Sequence, residues 1–246
     1  MSKKEDLKRQ LLPIRSDQTV LETFIIRNSN LPGPRGNLEL AFAVAEVYDD
    51  ARVIMEWTEI TENQADVNDP RAFLPFCGAM CLGRLYTAAK NRKYITRLKR
   101  LAGDGRWRMR EAVAFGFQII GEHDFSILRT IFSEWITTAD NLEQRAILVA
   151  LAHPPILDEA AVSFCFEIAD QILHRMDTTV NFSILKKGLE FTISVFAAAD
   201  PEAGFRFIRK WIGVNRIIDG ILEKNLTKKR LSGKYPEKTN DLLRIF

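Results

Sequence analysis

Three histidines and three cysteines stand in this 246-residue chain, and they are the side chains from which metal and nucleophilic centres are usually built. His123, His153 and His174 share no ligand spacing, with no His-x-x-x-His and no His-Glu pair of the metalloprotease kind. Cys77 and Cys81 sit at i and i+4 and would share a helix face. A two-thiolate metal site needs further ligands, and none is near in sequence. The other reading is a pair of small core residues. A cysteine nucleophile would need a base that the sequence does not show. The phosphate-loop and dinucleotide glycine signatures are absent. These residues predict no catalytic centre, no cofactor and no metal.

Anion chemistry has two candidates. Pro32-Gly-Pro-Arg-Gly-Asn37 precedes a helical stretch, so its backbone N–H groups and Arg35 could cradle an anion. The same residues could simply form a rigid connector capped by Asn37. The second candidate is larger. Charges from Glu39 to Asp69 are nearly all acidic, whereas from Arg84 to Arg110 nearly all are basic. Within the basic run Lys90, Lys93, Arg97 and Arg100 follow at steps of three, four and three, which aligns them on one helix face beside an apolar stripe of Tyr94, Leu98 and Leu101. Arg106 extends this field. Such a stripe suits a phosphate backbone, DNA or RNA, with affinity falling steeply as salt rises. It could equally be a solvated face neutralised by the acidic stretch at 37–69. A third basic cluster, Lys228 to Lys238, reads as a polar cap at a helix C-terminus.

The elements that must position these residues are helices. Apolar residues recur with helical period over roughly 17–29, 37–48, 52–63, 70–88, 91–102, 106–121, 124–137, 141–152, 158–175, 184–198, 202–213 and 215–225. No period-two alternation is sustained between turn signals. Asn37, Asp69-Pro70 and Asp200-Pro201 mark helix starts. Taken as pairs opening near 70, 106, 141 and 184, the helices repeat every 35 to 43 residues or so, the range of two-helix solenoid repeats.

Two segments sharpen this pattern, Asp104-Gly-Arg-Trp-Arg-Met-Arg-Glu-Ala-Val-Ala-Phe-Gly-Phe-Gln118 and Asp140-Asn-Leu-Glu-Gln-Arg-Ala-Ile-Leu-Val-Ala-Leu-Ala152. Each has an Asp at the turn, an Arg five or six residues on, and an Ala-rich apolar helix. They resemble the HEAT repeat. The resemblance implies an all-α fold, a right-handed α–α superhelix (HEAT/armadillo-like solenoid) of stacked antiparallel helix pairs. It implies a single domain over 1–246, with a less regular helical cap at 1–36 and a basic cap at 227–246. It also implies an internal Asp–Arg ladder, with Arg110 joined to Asp104 or Asp140. The run Asn215 to Leu231 resembles a closing repeat of bacterial HEAT-like proteins.

One branch similar to this family, the HEAT-like DNA alkylation repair proteins, excises damaged bases. Its Trp-Asp-x-Val-Asp-like element is missing; Glu56-Trp57 and Glu134-Trp135 place the acid before the ring. Glycosylase activity therefore does not carry over, and Trp57, Trp107, Trp135 and Trp211 are expected to be packing residues. Three unpaired cysteines in apolar segments fit a reducing compartment. No signal-peptide apolar core opens the chain, and no window reaches about 18 uninterrupted apolar residues. The expectation is a cytoplasmic, non-enzymatic scaffold with a protein partner and no membrane partner. The alternative is a DNA or RNA binder acting through Lys90, Lys93, Arg97, Arg100, Arg106 and Arg35.

Overall fold

The computed structural model describes residues 2–246 and is all-helical, with no strand among them. The chain divides into two compact units, Met1–His123 and Asp124–Phe246.

The first unit contains α1 (Lys3–Leu11), α2 (Gln18–Arg27), α3 (Leu38–Val47), α4 (Ala51–Trp57), a 3₁₀ turn at Pro70–Ala72, α5 (Phe73–Ala89), α6 (Arg92–Ala102) and α7 (Trp107–His123). Short polar residues start most of them. Ser2, Asp17, Asn37, Asp50 and Asn91 each accept a backbone N–H in the first turn of their helix, satisfying donors that the helix cannot. α1, α3, α5 and α7 pack consecutively, each on the next, and α2, α4 and α6 also pack on α5. α5 is the core of this unit, with every residue from Phe73 to Gly83 buried. Together with its 3₁₀ lead-in it forms a 20-residue stretch, Pro70–Ala89, long and apolar enough to cross a membrane. Its burial against five helices accounts for that hydropathy.

The α5–α7 contact depends on glycine. A Cβ on Gly83 would lie 2.2 Å from the Gly116 carbonyl oxygen, and one on Gly116 would lie 2.6 Å from that of Ala79. The two backbones therefore touch where any side chain would hold them apart.

The second unit contains α8 (Phe125–Trp135), α9 (Asn141–Leu151), a 3₁₀ turn at Pro154–Ile156, α10 (Glu159–His174), α11 (Phe182–Ala199), α12 (Pro201–Trp211), α13 (Arg216–Leu226), α14 (Lys229–Ser232) and α15 (Pro236–Leu243). α11 is central and packs on α9, α10, α12, α13 and α14. Asp140 and Glu143 form a reciprocal capping box on α9. Fully buried Asn225 of α13 staples the middle of α11. Its Oδ1 accepts the Ser194 N–H at 2.8 Å, and its Nδ2 donates to the Leu189 and Ile221 carbonyls at 2.8 Å.

The sequence-based helix positions agree with these elements to within a few residues, except that α4 ends at Trp57 rather than near 63 and α1 was not among them. Residues 1–36 hold α1 and α2. The 227–246 cap contains two further short helices, α14 and α15.

Candidate functional site

α6 carries the basic stripe, and its buried side is Tyr94, Ile95, Leu98 and Leu101. Lys90 sits just before it in a left-handed conformation, φ 52°, closing α5. Lys90 and Lys93 are exposed, and their ammonium groups lie over the rings of Tyr86 and Tyr94 at 5.7 and 5.0 Å. Neither forms an ion pair among the described residues. Arg97 and Arg100 converge on one acid. Arg97 pairs with one oxygen of Glu59, and Arg100 Nη2 lies 2.6 Å from the other. Hydrogen bonds from Arg97 and then Arg100 hold the Glu59 carboxyl below its ordinary range. Half of the stripe is thus neutralised from the acidic stretch 41 residues earlier.

Arg106 does not belong to the surface. It is 2% exposed. Its guanidinium meets Asp104 at 2.9 and 2.7 Å and donates to the Ala65 and Ile60 carbonyls at 3.0 and 2.8 Å. A cation so placed ties the loop after α4 to the start of α7 and cannot reach a phosphate. Arg110 does not form the expected ladder either. Its Nη1 donates to the backbone carbonyls of Asp104 and Gly105, each at 2.8 Å. The Asp104 carboxylate is taken by Arg106, and Asp140 is engaged as the cap of α9.

Arg35 is exposed on the 31–36 connector. Several polar groups in and beside the connector are occupied. Asn37 N–H donates to the Ser29 carbonyl at 2.9 Å, Asn37 Oδ1 caps α3, and the Gly33 carbonyl accepts from Arg108. The structure gathers Lys90, Lys93, Arg97 and Arg100 at α6, leaves Arg35 on its loop and buries Arg106.

Three tryptophans pack as expected, Trp57, Trp135 and Trp211. Trp107 does not: it is 42% exposed, and the Arg108 guanidinium lies over its ring at 4.3 Å. Trp107 opens α7, and Glu111, Phe115 and Ile119 follow it at steps of four, so the four share one face. Phe115 meets Phe42 of α3 edge-on at 5.7 Å. Beside them a cavity of about 660 Å³ opens over α1, α3, α5 and α7. Phe42, Ala45 and Ile119 supply its apolar lining, and Glu39, Glu46, Arg84, Glu122 and His123 supply charged and polar lining. Lys4 and Lys8 both reach Glu46 at 2.8 Å. Burial raises the Glu46 pKa, but these two hydrogen bonds outweigh it and leave the carboxyl below its ordinary value. Sequence reasoning missed this surface because its members come from four helices. The step-of-four row from Trp107 was the one signal available.

The thiols offer no nucleophile. Cys77, Cys81 and Cys165 are buried, and desolvation pushes all three upward, Cys81 to about 12. The thiolate needed for attack is therefore absent at neutral pH. No family model, characterised protein or solved structure matches this chain.

Proposed function

We propose that this chain is a non-enzymatic binding scaffold, a HEAT- or armadillo-type superhelix of stacked helix pairs that holds a protein partner. The observation that carries this reading is the open surface on the first unit. A cavity of about 660 Å³ with Phe42 and Ile119 in its lining and exposed Glu39 and Arg84 beside them has the make-up of a protein-recognition patch, an apolar centre with charged groups at its edge. Exposed Trp107 adds a residue type enriched at binding hot spots. Helices packed in sequence and the HEAT-like segments at 104–152 support the superhelical form.

The test uses a photo-crosslinking residue at Ile119 and charge reversal at exposed Glu39→Lys and Arg84→Glu. A stoichiometric partner should crosslink at 119 and be lost in both reversals without any drop in melting temperature. No crosslink from the native host, or a partner indifferent to both reversals, sinks the proposal.

A second reading, nucleic-acid binding in the manner of the DNA alkylation repair proteins, is favoured by one observation. Lys90 and Lys93 are exposed and unpaired, and Arg100 keeps 58% of its side chain open. Fluorescence anisotropy with single- and double-stranded DNA at about 50 mM salt, where electrostatic affinity is high, tests it. A flat titration eliminates it.

A further inference from the structure

The second unit holds a cavity of about 320 Å³ at the start of α9, lined among others by Ile136, Thr138, Asn141, Gln144, Arg175 and Val180. Two of these side chains are oriented by the fold. Asn141 is 6% exposed, and its Nδ2 donates to the Asp177 and Val180 carbonyls at 2.9 and 2.7 Å. Gln144 Nε2 donates to the Ala139 carbonyl at 2.9 Å. A backbone carbonyl can only accept, so neither amide can be flipped. What remains of each is its oxygen. Asn141 Oδ1 and Gln144 Oε1 are both buried and meet no donor of the protein. An orphaned buried acceptor costs about 1–3 kcal/mol, and here two stand one turn apart on the same helix face.

The electrostatics narrow what could meet them. The positive end of the α9 dipole and exposed Arg175 oppose a cation. Asp140 and Asp177, which also line the cavity, oppose an anion. A neutral group with two N–H donors suits the acceptors, and a carbonyl on the same group would suit Arg175, which has no ion pair among the described residues. We propose that this cavity binds a primary carboxamide or ureido group, with its NH₂ on Asn141 Oδ1 and Gln144 Oε1 and its carbonyl toward Arg175. Both oxygens are shielded from solvent, so the exposed wall residues Thr138 and Arg175 must swing aside for entry. The ligand is either a free small amide or the Asn or Gln side chain of a partner peptide.

The ¹⁵N-labelled full chain is titrated with propionamide and methylurea, and with N,N-dimethylpropionamide, which keeps the carbonyl and lacks the donors. Saturable shifts of the Asn141 and Gln144 side-chain NH₂ signals are expected with the first two and not the third. Gln144→Met should weaken binding about tenfold, the loss of one hydrogen bond from a buried partner. If that variant misfolds, Arg175→Ala, an exposed change, should weaken it by a smaller factor. A glutamine-containing peptide binding more tightly than propionamide identifies a partner side chain as the source; the reverse identifies a small molecule. The proposal is overturned by equal binding of the dimethylated control, by tighter binding of propylammonium, or by no saturable shift with a long-lived water detected at these amides.

Discussion

At the scale of single residues, the same side chain has opposite meanings depending on what lies against it. Arg97, Arg100 and Arg106 are alike in the sequence, and the sequence supports placing all three in one field. The first two meet Glu59, and Arg106 is enclosed by Asp104 and two carbonyls. Glu59 and the two carbonyls are some 40 residues away, and only Asp104 is near in sequence, so spacing along the chain could not separate a surface arginine from an interior one. Arg106→Met should therefore cost stability rather than binding. It leaves Asp104 and the Ile60 and Ala65 carbonyls without their donor, about 3–5 kcal/mol for breaking a buried ion pair from one side. Chemical denaturation would show a lowered midpoint; an unchanged midpoint would mean the network contributes nothing. Glu59→Gln separates the two kinds of arginine from the other direction. The exposed Arg100 pair contributes only about 0–1 kcal/mol, so most of any stability loss should come from Arg97, whose side chain is 12% exposed. The substitution should raise the salt needed to elute the protein from heparin, because Arg97 and Arg100 lose their counter-charge. Elution at the same salt would show that the stripe is no more available without Glu59.

At the scale of elements, most of the fold was legible. Asn37, Asp69 and Asp200 are caps in both sequence and structure, and helical periodicity located α2 to α13. Amphipathic patterns report which face is buried and nothing about what it is buried against. That explains why Trp107 was expected inside: its helix is apolar, but Trp107 stands on the one row that turns outward. It also explains why Asn225 and Asn141 carried no signal, since a lone Asn does not reveal whether it staples a neighbouring helix or faces a cavity. The closest helix contact was equally hidden. Gly83 and Gly116 lie in apolar helical stretches where glycine is intrinsically costly, about 1 kcal/mol against alanine. Propensity alone predicts that Gly83→Ala stabilises. The contact predicts the opposite, because the added methyl would meet the Gly116 carbonyl oxygen at 2.2 Å and a backbone atom cannot swing aside. Overpacking of this kind costs about 1–3 kcal/mol, enough to outweigh the propensity gain. Thermal melting of Gly83→Ala should show a lower midpoint, and a rise would mean that α5 and α7 can separate without loss.

At the scale of the whole molecule, the pH-sensitive groups are unevenly divided between the two units. Glu46, Glu59 and Asp69 of the first unit are all held below their ordinary values: Glu46 by Lys4 and Lys8 against its burial, Glu59 by Arg97 and Arg100, and Asp69 by Arg71. In the second unit Asp177 is held down by its Thr179 hydrogen bonds. A carboxyl whose folded pKa lies below its unfolded one stabilises the fold above the unfolded value, near 4, and loses that contribution as pH falls through the folded one. The alkaline side has the same bias. Burial pushes Tyr48 to about 12 and raises Cys77 and Cys81, all in the first unit, against Cys165 alone in the second. For these acids the folded pKa is the higher, so their contribution is complete at neutral pH and declines above the unfolded values, about 8.5 for a thiol and 10 for tyrosine. Both limbs place the weaker unit before His123. Hydrogen exchange at about pH 3.5, within the window where the shifted carboxyls take up protons, should show protection falling in α3 and α5 before α9 and α11. Adding salt at that pH should deepen the loss, since the ion pairs of Glu46 and Glu59 are partly exposed and screened. Uniform loss across both units would mean that they unfold as one and that these pairs do not decide where acid unfolding begins.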